Sequence, residues 1–136
     1  MWTWLSALAI AVIGTVIGLA WTAYREQLKS KREACAKFRL AFAEAITQIH
    51  ARDAYSLMAK AKVQHDVAIL EFRRHVARRQ LANYDNASAQ FNQCREAVPP
   101  AFIAHYRALG SDQPVDMSDI FKLSKSLDFL MTFAQK

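Results

Sequence analysis

The chain opens with a stretch that has no polar face. Residues 2–24 read WTWLSALAIAVIGTVIGLAWTAY, without a charged side chain. A run apolar around its whole circumference predicts a helix that sits in lipid rather than in water. At about 1.5 Å per residue it reaches roughly 35 Å, enough to cross a hydrocarbon core of about 30 Å. Trp2, Trp4, Trp21 and Tyr24 stand at its two ends, the depths that amphipathic aromatic rings prefer.

The rhythm then changes. REQLKSKRE at 25–33 is polar, and after it Cys35, Phe38, Phe42, Ile46 and Ile49 recur every third or fourth residue. That spacing is one apolar stripe on a helix. Asp53 is a suitable N-cap for a second amphipathic helix carrying Leu57, Ala61, His65, Ile69, Phe72 and Val76. A break is expected within 77–82, although no Gly or Pro marks it; one long bent helix is the alternative. Leu81, Tyr84, Ala87, Phe91, Cys94 and Val98 form a third stripe that Pro99-Pro100 ends.

Residues 101–109 predict a short helix closed by Gly110, followed by a loop at 111–116. Asp116 or Ser118 caps a last helix with Ile120, Leu123, Leu127, Leu130, Met131 and Ala134 on one side. Phe121, Phe129 and Phe133 fall partly off that side, and burial is the expectation for them over a partner contact. The fold class predicted is all-α: a single N-terminal transmembrane helix (1–24) and an antiparallel bundle of about four helices (25–136).

Within the apolar run a second pattern appears. On a wheel of 100° per residue, Ala7, Ala11, Gly14, Gly18 and Thr22 fall within about 80° of one another. The bulky residues, among them Leu5, Leu8, Val12, Ile13, Val16, Ile17 and Leu19, occupy the other side. Lipid offers little hydrophobic drive between helices, so association relies on close backbone approach across small residues. The stripe predicts a contact with another transmembrane helix, from a second copy or from another subunit. If the helix continues past the span, this stripe and the later apolar stripe point different ways.

Charge adds an orientation. The formal net charge is +6, but residues 25–79 hold 13 Lys/Arg against 6 Asp/Glu, and residues 80–136 hold 5 against 6. Lys and Arg beside a span stay on the cytoplasmic side, which predicts N-terminus out, C-terminal domain in the cytoplasm and, for a bacterium, the inner membrane. Arg25, Lys29, Lys31 and Arg32 follow the span directly. A helix over 25–50 rises roughly 39 Å and a second returns by a similar length. That brings Arg73, Arg74, Arg78 and Arg79, with His75, back to the anionic headgroups as one membrane-surface cluster with the first four.

Candidate chemistry is sparse. Glu71 and His75 share a helix face at i, i+4, but a di-iron bundle would need Glu-x-x-His and a second copy; no metal or cofactor is expected. His65 lies on an apolar stripe and reads as a hydrogen-bonded core residue. Cys35 and Cys94 lie on apolar stripes and read as two reduced thiols, neighbours in the core. No nucleophile elbow, P-loop, dinucleotide fingerprint, CxxC or HExxH motif occurs. A non-catalytic interaction or accessory subunit of a membrane complex is therefore expected. Gly18-Leu19-Ala20 would also suit a signal peptidase, which leaves a periplasmic or secreted helical binding domain as an alternative. A membrane-tethered nucleic-acid binder is the third reading, disfavoured because the basic run lacks a reading motif and interleaved aromatic residues.

Overall fold

A computed structural model describes residues 2–49, 54–98 and 118–135. Within them 93% of positions are helical and no strand occurs. Five α-helices follow one another: α1 (Trp2–Gln48), α2 (Ala54–Lys60), α3 (Lys62–Arg73), α4 (Leu81–Ala97) and α5 (Ser118–Met131). A 3-10 turn at Arg78–Gln80 leads into α4, and another at Thr132–Ala134 follows α5. Asp53 and Asp116, Pro99 and Pro100, the short helix expected at 101–109 with Gly110, and the loop at 111–116 lie outside the described residues.

The chain divides into two compact units, Met1–Glu33 and Ala34–Lys136. In the first, residues 3–30 are exposed throughout. Among the described residues α1 is the one helix long and apolar enough to cross a membrane, and none of its apolar window is buried.

The second unit is a helical bundle built on heptad-like seams. α1 contributes Cys35, Phe38, Phe42, Ala45 and Ile49, all buried. Their spacing of 3, 4, 3, 4 is the repeat that keeps one seam facing a neighbour. Ile46, expected in that seam, is 44% exposed, and Ala45 takes its place at 1%. The reason is the period: a repeat of 3.5 residues selects position 45 after Phe42, and alanine leaves room for the large side chains opposite.

Ring contacts give the directions of the helices. Phe38 meets Phe72 of α3 at 4.6 Å between centroids, and Phe42, one turn later, stacks on His65 at 4.3 Å. α1 and α3 therefore run antiparallel. Arg73 pairs with Asp85 and Asp66 with Arg95, so α4 runs antiparallel to α3. Tyr84, early in α4, lies edge-on to Phe133, beyond α5, at 5.4 Å, which makes α5 antiparallel to α4. The result is an up-down-up-down bundle. α2 and α3 together form one arm bent at Ala61, because Ala61 N–H still donates to Leu57 O (3.1 Å) and His65 N–H to Ala61 O (2.9 Å).

The break between α3 and α4 falls earlier than expected. His75 and Val76 N–H donate to carbonyls three residues back, tightening the last turn of α3. Ala77 is then extended, with φ −59° and ψ 137°. One long bent helix is thus excluded. The reversal lets Tyr84 reach back, its hydroxyl donating to Ile69 O at 2.9 Å and its ring 5.9 Å from Phe72. At the far end of α4, Val98 is also extended, as the residue before a proline prefers.

α5 buries Leu123, Leu127, Leu130 and Met131, with Ala134 just beyond it. The burial expected for its remaining phenylalanines is corrected: Phe121 is 65% and Phe129 48% exposed, and Phe133 alone packs against the core. Only one side of α5 meets other helices, and 121 and 129 lie off it.

Phe42→Ala should cost about 3–5 kcal/mol, because the void opens where three helices meet. Tyr84→Phe should cost about 1 kcal/mol through the lost hydrogen bond to Ile69. Phe121→Ala should stay within about 0.5 kcal/mol of the parent. Urea unfolding of the detergent-solubilised chain, followed by far-UV circular dichroism, measures all three.

Candidate functional site

Three places carry the polar or contact chemistry of this chain. The first is the outer surface of the apolar helix. Ala7, Ala11, Gly14, Gly18 and Thr22 are exposed, and so are Leu5, Leu8, Ile13, Ile17 and Leu19 around them. A Cβ added at Gly14 or Gly18 would meet nothing within 4 Å. Neither glycine is required by close packing inside the chain. The hydroxyls are satisfied along the helix itself: Thr15 Oγ1 donates to Ala11 O and Thr22 Oγ1 to Gly18 O. That local bonding lets hydroxyl residues sit in an apolar medium without an unpaired donor.

The second place is the basic turn between α3 and α4. It lies at the end of the bundle that holds residues 35–38 of α1, since Phe38 packs on Phe72. Its arginines do not behave alike. Arg73 forms a two-point fork with Asp85, Nε to Oδ1 at 2.8 Å and Nη2 to Oδ2 at 2.9 Å. That hydrogen bond is the main reason the Asp85 carboxyl is held below the usual carboxylate range. The pair therefore favours the fold above the unfolded pKa and loses that effect as pH falls through the lower folded one. Arg74, Arg78 and Arg79 are exposed and form no ion pair among the described residues. The helix ends at Arg73, so His75 falls in the turn, and the helix face expected to join it to Glu71 does not form. Arg25, Lys29 and Arg32 are exposed and Lys31 half-buried, all in the first compact unit.

The third place is a polar seam between α3 and α4. His65 is 1% exposed, stacked on Phe42 with an angle of 11° between the rings and edge-on to Phe91 at 6.0 Å. Burial lowers its pKa to about 4, Arg95's charge adds to that, and Asp66 and a hydrogen bond to the Ala41 backbone oppose it. His65 is thus neutral at pH 7, and its Nδ1 has no hydrogen-bond partner. Next to it Arg95, with a side chain 5% exposed, donates from Nη2 to Asp66 Oδ1 at 2.8 Å and lies over the Phe91 ring at 5.6 Å. Its Nε and Nη1, and Asn92 Oδ1, are buried without partners.

The seam separates two shallow grooves. One of about 230 Å³ is lined by Tyr55, Met58, Ala59, Lys62, Arg95 and Glu96; the other, of about 350 Å³, includes Asp66, Leu70, Arg73, Asp85 and Asn92. The seam holds His65 face-on against one phenyl ring and edge-on to another, with Arg95 beside it. Its chemistry is that of a buried cation held by one carboxylate.

The expectation for His65 holds. Arg95 was not anticipated: the spacing from Phe91 admits 94 or 95 equally, and the apolar Cys94 was the natural choice. Cys35 is buried, Cys94 half-buried, and both thiols are free. Among the described residues no three His, Cys, Asp or Glu side chains converge on a point.

The seam makes its own tests. A histidine with a depressed pKa costs stability once the unfolded chain takes up its proton. Stability should therefore be level above about pH 6.5 and fall towards pH 4, by an amount on the order of 2–3 kcal/mol. His65→Gln should flatten that part of the profile of urea midpoint against pH. Arg95→Met should unfold within about 1 kcal/mol of the parent or later, whereas Asp66→Ala, which strands a buried cation, should cost about 2–3 kcal/mol. Equal losses in both variants would contradict this account of the pair.

Comparison of the chain with family models, with curated proteins and with solved structures finds no match.

Proposed function

We propose that this chain is a single-pass protein of the cytoplasmic membrane, N-terminus out, whose helical bundle serves as a non-catalytic interaction or accessory module of a membrane complex. The observation that carries the reading is the apolar helix of which nothing is buried. A run of 23 uncharged, mainly apolar residues exposed to water would be strongly unfavourable. Lipid, or a second apolar helix within lipid, removes that cost. The excess of Lys and Arg after the span supports the orientation.

Surfaces without partners support the accessory role. The stripe from Ala7 to Thr22 is open along its length. On the bundle, Val63, Val67 and Leu70 of α3 stand 74%, 47% and 66% exposed at helical spacing, and Phe121 and Phe129 do the same on α5. Exposed apolar residues in such rows are typical of contact surfaces.

Two measurements test the proposal. The chain should resist alkaline extraction from native membranes, with an intact mass that still includes Trp2; release or cleavage after Ala20 would favour a secreted domain instead. In-membrane crosslinking should find a neighbour or a second copy along the small-residue stripe. Gly14→Leu with Gly18→Leu should lower that crosslink about tenfold or more, the bulky side chains holding the helices apart. An unchanged crosslink would remove the stripe from the interface.

A further inference from the structure

We infer that the turn between α3 and α4 is a docking site for anionic lipid headgroups, with Arg74, Arg78 and Arg79 as the ligands and Arg73 as the clamp that holds the turn. The inference rests on the anchoring reading above, since it requires a bilayer beside the bundle.

Four observations carry it. Between Glu71 and Asp85 the chain places four arginines against those two carboxylates. Both oxygens of Asp85 are engaged by the Arg73 fork, and the other three arginines are exposed and form no ion pair among the described residues. Second, the fork joins the last turn of α3 to Asp85, just past the first turn of α4, and so fixes both ends of the basic segment. A guanidinium used in this way has few donors left for a ligand.

Third, the turn stands at the end of the bundle where α1 begins its contribution, as the Phe38–Phe72 contact requires. Only nine residues lie between Tyr24, the last residue of the apolar run, and Ala34. A chain of that length spans no more than about 36 Å however it is arranged. This end of the bundle is therefore the one that the chain joins to the apolar run. Fourth, residues 73–80 contain no Phe, Tyr or Trp, and the single ring there, His75, is half-buried; so poor a stacking surface favours a lipid phosphate over a single-stranded nucleic acid.

The turn carries its own reporter. The amides of Ala77, Arg78 and Arg79 have no backbone carbonyl partner among the described residues, so they exchange rapidly while the turn faces water. Hydrogen exchange of the full chain is measured in nanodiscs of phosphatidylglycerol and of phosphatidylcholine. Exchange over residues 74–80 should slow about tenfold or more in the anionic discs, and the difference should vanish at about 0.5 M salt. Arg74→Ala/Arg78→Ala/Arg79→Ala should abolish it, and the triple lysine variant should restore most of it, because headgroup attraction is chiefly a matter of charge.

Equal exchange in the two lipids overturns the inference and leaves the anchoring reading standing. A chain that is not carried with the discs overturns both. Protection by an added oligonucleotide in phosphatidylcholine discs, with none from anionic lipid, reassigns the turn to nucleic acid and overturns the inference.

Discussion

The bundle depends on one crossing point, the side chain of Phe42. It is fully buried and touches a ring on each side: Phe38 of its own helix, His65 of α3 and Phe91 of α4. From there contacts continue through Phe38 to Phe72, Tyr84 and Phe133, so four arms of the bundle share one aromatic chain. Rings of this size bury large apolar areas with few rotatable bonds, and their edge-on and offset contacts fix relative positions more narrowly than aliphatic packing does. A domain of about 100 residues has a modest core, and here its definition comes from shape as much as from area.

Polar groups are kept beside that core under restraint. His65 is held neutral by its phenylalanine neighbours and by the cation next to it. Among the described residues Arg95 makes one side-chain hydrogen bond, whereas the exposed Arg73 makes two. The difference follows from position. Arg73 meets Asp85 across the mouth of a turn, where both side chains can rotate into a fork. Arg95 is pinned between Phe91 and the arm carrying Asp66, and reaches that carboxylate with one nitrogen. A buried guanidinium reaching a half-exposed carboxylate ties α3 to α4 at one point, and such a pair adds little net stability once desolvation is counted.

The two halves of the chain solve opposite problems. The bundle gathers its apolar residues inward and leaves short apolar rows outside. The first unit gathers nothing: its leucines, valines and glycines are exposed, and Ser6, Thr15 and Thr22 donate to the helix's own carbonyls. Such a surface is stable only in a medium that asks for no hydrogen bonds. The proposed accessory role follows from that asymmetry, with an apolar helical segment suited to lipid and a bundle that carries a basic turn.

The seam-forming stripes were legible without coordinates, because a helix repeats every 3.6 residues and Phe38, Phe42, Phe72, Phe91 and Leu127 obey that period. The apolar span was equally legible, since length and missing charge are properties of a linear string. The stop after Val98 came from two prolines. Finer choices were not legible. Whether 45 or 46 enters the seam depends on a period of 3.5 against 3.6, which only a partner helix imposes. Arg95 could not be picked out because its partner, Asp66, lies 29 positions away, and the turn at 74–80 carries no breaker at all. Composition alone could not separate Arg73 from Arg74, Arg78 and Arg79. Periodicity is local and survives in the sequence, while pairing between helices is decided by which side chains the tertiary structure brings opposite one another.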